Sequence, residues 1–266
     1  MDLFKGCSLR FFLLSSIIVS FHAKSDELFK DVRFITGVSM GESVTNYEER
    51  LDQDIALTMV NVTLAVATSN WQLSLNGGSS LGNAVISEEE ETGEASRYDV
   101  DLTLGYQISK HWIIFTGYKN GGTKLLFVPR DAEESDNPDG IREEYTQKGF
   151  YFGTSYSLRF EKAGRLALSI AYANFDGINS FQANVDDLDE EEDEEIEFDD
   201  LTGTVNGDVS GFSYGLTWSM PLSSNLIFQS KIKINRYQQD IEFNGLTFNN
   251  IDENYRSLQV GLAYVF

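Results

Sequence analysis

The stretch from Ser257 to Phe266, SLQVGLAYVF, decides the fold class because its polarity alternates along the chain. Such a period of two is typical of a β-strand with one apolar face. The same alternation recurs over 98–108, 147–160 and 211–220. In the quoted stretch one side carries Leu258, Val260, Leu262, Tyr264 and Phe266, and the other carries Ser257, Gln259, Gly261 and Ala263.

The second face of these strands favours a membrane barrel over a soluble sandwich. A soluble sandwich would cover its outside with Lys and Glu. Here the face opposite the bulky side chains is mainly Gly, Ser, Ala and Thr. Small residues suit the narrow interior of a barrel whose bulky face meets lipid, and a soluble β-sandwich is the alternative.

The alternation predicts an all-β protein, an antiparallel up-and-down transmembrane β-barrel of about ten strands. Eight or twelve strands also fit, because the first three strands and the fifth are the least regular. An even number brings both ends to one side and leaves no open edge. The predicted strands are 32–41, 54–68, 71–79, 97–109, 111–120, 145–160, 165–180, 208–220, 225–240 and 254–266.

The predicted connections alternate between short and long, and the long ones hold the acidic residues. Outer-membrane barrels have short periplasmic turns and long extracellular loops. The chain carries 42 Asp and Glu and a formal charge of −22, and 31 of these acids fall in the five long connections, or 33 with Asp54 and Asp240 at their borders. An acidic balance disfavours nucleic-acid binding, which relies on Lys and Arg. The long connections are 42–53, 80–96, 121–144, 181–207 and 241–253.

The first 25 residues have the layout of a secretory signal. Lys5 and Arg10 precede an apolar run over 11–21, which is too short to span a membrane as a helix. We expect cleavage after Ser25, which would leave residues 26–266 as the barrel with a charge of −24.

The chain resembles a bacterial outer-membrane β-barrel protein in its leader, its alternating strands and its terminal GLAYVF. The aromatic residues Tyr264 and Phe266 resemble the C-terminal signal that the barrel-assembly machinery reads in this family. The resemblance implies an exported monomer in the bacterial outer membrane, in contact with membrane lipid and lipopolysaccharide. It implies no activity, because a fold does not define a function.

No motif in the sequence predicts an enzyme. There is one Cys, and neither HExxH nor a P-loop is present. Ten strands are also typical of omptin proteases, whose site needs Asp and His residues at the extracellular rim. His111, the one His after the leader, falls instead at a predicted periplasmic turn.

The most acidic connection suggests weak cation binding. The stretch 186–200 holds twelve acids without the spacing of an EF-hand loop, so we expect no specific metal site and no cofactor. Weak Ca²⁺ or Mg²⁺ association is the expectation for Asp186, Asp187, Asp189, Glu190, Glu191, Glu192, Asp193, Glu194 and Glu195.

Charged residues on the small-residue face predict a polar lumen, with either ion pairs or a conduction path. The sequence therefore predicts a small porin-like channel for ions or solutes, with an acidic, cation-attracting mouth. The alternative is a non-conducting structural or surface-interaction barrel whose loops bind divalent cations, lipopolysaccharide or another surface. The candidate lumen residues are Asp99, Asp101, Tyr151, Arg159, Lys231 and Lys233.

Overall fold

The computed structural model describes most of the chain after the predicted leader. The described residues are 32–47, 54–88, 91–129, 141–161, 163–182, 203–243 and 246–266. The predicted signal peptide, and with it its cleavage site, lies outside them. No helix in these ranges is long and apolar enough to cross a membrane.

Eleven β-strands occur in the described ranges, and all of their pairings are antiparallel. They are β1 Arg33–Tyr47, β2 Ile55–Ala67, β3 Trp71–Ser80, β4 Ala84–Glu88, β5 Glu91–Gln107, β6 Trp112–Pro129, β7 Ile141–Phe160, β8 Gly164–Gln182, β9 Gly203–Pro221, β10 Leu226–Phe243 and β11 Leu246–Val265.

The sheet closes into a barrel. Each strand from β5 to β11 pairs with the next, β11 pairs with β1, β1 with β2, β2 with β3, and β3 with β5. The short strand β4 continues the line of β3 along β5, so the wall has ten strand positions. The predicted closed antiparallel barrel of ten strands is confirmed.

The break between β3 and β4 is made by residues 81–83. Gly82 has a φ of +100°, a left-handed conformation that glycine adopts without steric cost. The backbone amide of Leu81 donates to the carbonyl of Thr58 on β2 at 2.8 Å, so the chain stays hydrogen-bonded to β2 at the start of the break.

The two ends of the barrel differ in their connections. Residues 68–70, 108–111, 161–163 and 222–225 join strands at one end, which we name the short-turn end. The opposite end is named the long-connection end. Strands extend further toward it than the alternation predicts: β6 runs to Pro129 rather than 120, and β11 begins at Leu246 rather than 254.

An apolar belt surrounds the outside of the barrel in the half nearer the short-turn end. It is formed by large side chains that point outward and are exposed on ten of the strands. Such a band is what hydrocarbon requires of a membrane barrel. Its members include Phe34, Val38, Met40, Val62, Leu64, Leu73, Leu75, Val100, Leu102, Leu104, Ile114, Phe150, Phe152, Leu158, Leu168, Ile170, Phe212, Tyr214, Ile232, Ile234, Leu258, Val260 and Leu262.

The apolar face changes sides along most of the strands that reach the long-connection end. On β2, Val62 and Leu64 point outward, whereas Leu57 and Met59, nearer the long-connection end, are buried inside. On β10, Ile232 and Ile234 are exposed in the belt while Ile241 is buried. The same alternate positions face inward along the whole strand, but the apolar residues move from the outward to the inward positions. The interior is therefore apolar where the outer surface is polar. That half of the wall resembles a water-exposed β-barrel with a packed core.

This inversion corrects the placement of some acidic residues. Glu143 and Glu253 fall in predicted extracellular loops, but they lie on β7 and β11 and are buried in the interior. Glu94, Glu144 and Asp252 are also on strands rather than in loops. The polar outer face above the belt lacks the apolar alternation from which strands were predicted, and this explains the difference.

Candidate functional site in the barrel interior

The interior at the long-connection end is filled by an apolar cluster. Nine strands contribute side chains to it, and Phe127 on β6 is fully buried at its middle. These side chains pack against one another inside that end of the wall. The apolar cluster consists of Ile55, Leu57, Met59, Ile86, Ala95, Leu125, Phe127, Tyr145, Phe181, Val205, Ile241 and Ile251.

A network of buried charges lies next along the bore. Asp99 accepts a hydrogen bond from Arg97 Nε at 3.0 Å and forms an ion pair with Lys119 Nζ at 2.9 Å. Arg97 Nη1 also lies 3.6 Å from a carboxylate oxygen of Glu253. The arginine's guanidinium carbon is 4.6 Å from the centre of the Tyr255 ring, a cation–π distance. Two cations and two carboxylates therefore balance one another inside the wall.

Neutral side chains complete this charged layer. Arg97 Nη1 donates to the Thr123 hydroxyl at 3.0 Å, and the Gln147 amide donates to Glu253. The hydroxyl of Tyr145 donates to Glu143 at 2.7 Å, at the border of the apolar cluster. Buried carboxylates that accept such bonds lose less on leaving water.

Asp101 belongs to a second polar group, centred on Tyr151. The Tyr151 hydroxyl donates to Asp101 at 2.6 Å and lies 2.5 Å from the Thr103 hydroxyl. Asn76 Nδ2 donates to the same carboxylate at 3.3 Å. The ring of Tyr151 packs against a small apolar group in the bore that includes Phe175.

A cavity of about 560 Å³ occupies the other half of the interior. It begins at the charged layer, where Asp99 and Lys119 line it, and reaches the exposed turn residues Thr68 and Asn70 at the short-turn end. Most of the side chains along its wall are Ser, Thr, Asn or Gln. Toward the long-connection end, the described wall beyond this cavity carries the apolar cluster.

The structure places five of the six candidate lumen residues on the cavity wall: Asp99, Asp101, Tyr151, Lys231 and Lys233. Arg159 lies apart from them. It is exposed at the short-turn end of β7 and is not part of the cavity wall.

The acidic and basic candidates do not pair with one another. Asp99 pairs with Arg97 and Lys119, and Asp101 is held by Tyr151. In the described ranges neither Lys231 nor Lys233 has a carboxylate within 4.0 Å.

The sequence interpretation missed four members of the charged layer. Arg97 and Glu253 fall at or beyond the ends of predicted strands, and Lys119 stands near the end of one. Alternate residues of a strand share one face, and this alternation could identify them. Arg97 is on the same inward face as Asp99 and Asp101, and Lys119 is on the same inward face as Gly117. Tyr255 reads as an apolar residue, yet it also points inward.

The remaining predicted residues lie at the surface or outside the described ranges. Tyr264 and Phe266 point outward near the short-turn end with ring centres 4.8 Å apart, and their role in assembly stays a prediction. The acidic stretch from Asp186 to Glu195 is outside the described residues. Among those described, no three His, Cys, Asp or Glu side chains are close enough together to hold a metal ion.

His111 lies in a turn of the short-turn end. Its Nδ1 is 2.8 Å from the carbonyl oxygen of Ser157, and its ring is 5.8 Å from that of Tyr156. The histidine joins the ends of β6 and β7, and no carboxylate of the described residues bonds to it as an orienting partner.

Comparisons with known proteins support the fold. No protein-family model matches the chain, and no curated protein matches its sequence significantly. The outer membrane protease OmpT from Escherichia coli is 12% identical, with 89% of this chain and 97% of OmpT covered at a TM-score of 0.50. The translocator domain of the autotransporter NalP from Neisseria meningitidis is 11% identical, with 88% of each chain covered and a TM-score of 0.48. Ail, the attachment invasion locus protein of Yersinia pestis, is 8% identical, with 89% and 99% covered and a TM-score of 0.41.

At these identities the likeness to OmpT concerns the fold alone. It agrees with the closed wall of ten strand positions and with the apolar belt around it. The chain therefore has the fold of a bacterial outer-membrane β-barrel protein, which points to the bacterial outer membrane as its location.

Proposed function

We propose that the protein is a non-conducting surface barrel of the outer membrane, whose long-connection end faces the outside of the cell. Short turns on the periplasmic side and long connections outside are the rule for such barrels. The proposal includes export by the leader, insertion through the C-terminal aromatic signal and a monomeric state.

The apolar cluster is the observation that carries this proposal. Phe127, Ile86, Ile241 and the nine other members are all less than 7% exposed, and they come from nine strands. Water and ions do not pass a packed apolar core, because nothing in it replaces their hydration. The charged layer below adds paired groups that also fill the bore.

The porin-like alternative requires a continuous polar path. The cavity supports part of such a path, since its wall is polar and reaches the short-turn end. To conduct, the apolar cluster would have to separate, which would expose side chains such as Phe127 and Ile55 to water.

The outer surface above the belt supports contact with lipopolysaccharide. Arg236 and Arg256 are exposed on neighbouring strands, one outward position beyond the belt residues Ile234 and Leu258. Arginine binds phosphate in a bidentate manner, and lipopolysaccharide phosphates lie at this level of the outer leaflet. The acidic stretch 186–200 adds the expectation of weak Ca²⁺ or Mg²⁺ association that bridges acids to those phosphates.

The proposal assigns no catalytic activity. His111 is at the short-turn end and contacts a backbone carbonyl, so it supplies no base at the outer rim. The described carboxylates inside the barrel are bound to cations or hydroxyl groups rather than exposed to an outer cleft.

Conductance measurements test the proposal directly. Folded protein in vesicles of known protein content is fused to a planar bilayer, and the current is recorded in KCl. We expect no current steps from the wild type. Steady, cation-selective steps in proportion to the folded protein would overturn the proposal and favour the channel.

A variant makes a negative result informative. Phe127→Ala together with Ile241→Ala removes bulk from opposite parts of the apolar cluster, and we expect intermittent current from it where the wild type has none. Val85→Ala, at an outward residue of the same end, is the matched control and should stay silent.

A further inference from the structure

The geometry points to a binding site for a small hydroxylated organic anion, of the sugar-phosphate or sugar-acid class, in the cavity at the short-turn end. The cavity carries positive charge inside a protein whose net charge is −22. Its charged wall residues are four cations and two carboxylates: Lys119, Arg165, Lys231, Lys233, Asp99 and Asp101.

Three of the four cations have no anionic partner in the described part of the chain. Lys119 is bound to Asp99, but Lys231, Lys233 and Arg165 have no carboxylate within 4.0 Å. The buried Nε of Arg165 has no hydrogen-bond partner at all. A buried guanidinium N–H without an acceptor is costly, and Arg165 lines the cavity, so an anion bound beside it would supply an acceptor.

The two lysines point the same way. Lys231 and Lys233 are two residues apart on β10, which puts both side chains on the inward face. Arg165 lies across β9, at the level of Ser219 and Gln229, and lines the same cavity. All three cations therefore line one cavity, with Arg165 nearer the short-turn end than the two lysines.

The two carboxylates do not cancel this charge. Asp99 accepts from Arg97 and Lys119, and Asp101 accepts from Tyr151 and Asn76. Each is therefore already neutralised or hydrogen-bonded within the wall, whereas the three cations are available to a ligand.

The rest of the wall fits a ligand with hydroxyl groups. A volume of about 560 Å³ lies within the range of small-molecule sites. Hydroxyl and amide side chains hydrogen-bond polyols in both directions. They include Ser39, Asn61, Thr63, Ser74, Asn76, Thr103, Ser155, Ser169, Ser213, Thr217, Gln229, Ser257 and Gln259.

This inference is independent of the proposed function. The cavity is reached from the short-turn end, so an anion can enter and leave whether or not the apolar cluster at the far end ever opens. Conductance tests the cluster, and equilibrium binding tests the cavity.

The test uses three sugars of matched shape and different charge. Glucose 6-phosphate, glucose and glucosamine are titrated into the folded full-length barrel in detergent, with heat of binding as the readout. Inorganic phosphate alone is the fourth probe. We expect glucose 6-phosphate to bind at least about tenfold more tightly than glucose, because charged hydrogen bonds exceed neutral ones by that much. Glucosamine should bind most weakly.

Two variants separate the site from general charge effects. Lys231→Gln with Lys233→Gln should lower the affinity for glucose 6-phosphate about tenfold or more and leave that for glucose nearly unchanged. Lys124→Gln is the matched control, since Lys124 is exposed on the outer surface and pairs with Glu144. It should bind like the wild type.

Three results would overturn the inference: no preference for the phosphorylated sugar, equal losses in the double variant and the Lys124 control, or no binding of any probe to folded wild type. Phosphate binding as tight as that of glucose 6-phosphate would reject the sugar part of the ligand. If the double variant does not fold, Arg165→Gln replaces it with the same expected loss.

Discussion

Ile86 and Val85 are neighbours on β4 that test whether the long-connection end has a packed interior. Ile86 belongs to the apolar cluster and is 1% exposed, whereas Val85 points outward and is 83% exposed. The two residues share the same strand and the same pairing with β5. Replacing each by Ala therefore compares inside with outside at one place in the chain.

The expected magnitudes differ several-fold. A buried Ile→Ala substitution costs about 2–5 kcal/mol, the sum of lost burial and the cavity that is left. The strand β4 has five residues and, among the described strands, pairs with β5 alone, so it can shift into the vacated space. We therefore expect Ile86→Ala to lower the free energy of unfolding by about 2–3 kcal/mol. Val85→Ala should change it by about 0.5 kcal/mol or less.

Urea unfolding of the barrel in lipid vesicles, followed by tryptophan fluorescence, measures both values by linear extrapolation. Ile86→Val adds a graded point, with an expected cost of about 0.5–1.5 kcal/mol. Equal costs for Ile86→Ala and Val85→Ala would refute the reasoning, because they would mean that the interior at this end is not packed.

Further substitutions test the charged layer, the tyrosine group and the strand break. Lys119→Met should lower the free energy of unfolding by about 3 kcal/mol, because it leaves Asp99 with one partner. Adding Asp99→Asn should recover part of this loss in a double-mutant cycle. Strictly additive effects of the two substitutions would show that the pair is not coupled. Tyr151→Phe removes the hydroxyl that bonds to Asp101 and should lower the free energy of unfolding by about 1–3 kcal/mol, seen as a lower melting temperature. An unchanged melting temperature would contradict these hydrogen bonds. Gly82→Ala should cost about 1–2 kcal/mol because of its φ of +100°, whereas Gly77→Ala, also at an open position, should be neutral within about 0.5 kcal/mol. Urea midpoints compare the two, and equal effects would argue against backbone strain at the break.

The fold was predictable because the membrane belt imposes a strong pattern. Between Leu258 and Phe266 lipid outside and small side chains inside give a clear alternation, and the predicted strand agrees with β11 there. The turns at 69–70 and 109–110 were predictable for the same reason, since the apolar pattern stops on both sides of them.

The extended strand ends and the layered interior were less accessible. Over 141–147 on β7, charged residues such as Arg142 and Glu143 occupy both faces, so no apolar side marks a strand. The pairing of Arg97 with Glu253 joins β5 to β11, strands distant in sequence, and only the closure of the barrel brings them together. Alternation predicts that the Asp99 side chain points inward, but it does not predict which of several inward cations this carboxylate contacts.

The exchange of apolar and polar faces along most strands also sets how deeply the barrel can sit in a bilayer. If the barrel moved toward the periplasm by two residues of strand, Lys148, Arg236 and Arg256 would enter the hydrocarbon. Each would cost about 1 kcal/mol or less near the interface and about 2–4 kcal/mol at the mid-plane. Rising by the same step would bring belt residues such as Phe34 and Leu73 into water. Movement of the barrel along the membrane normal is therefore unfavourable in both directions. The cavity, the charged layer and the apolar cluster are held at fixed depths relative to the lipid.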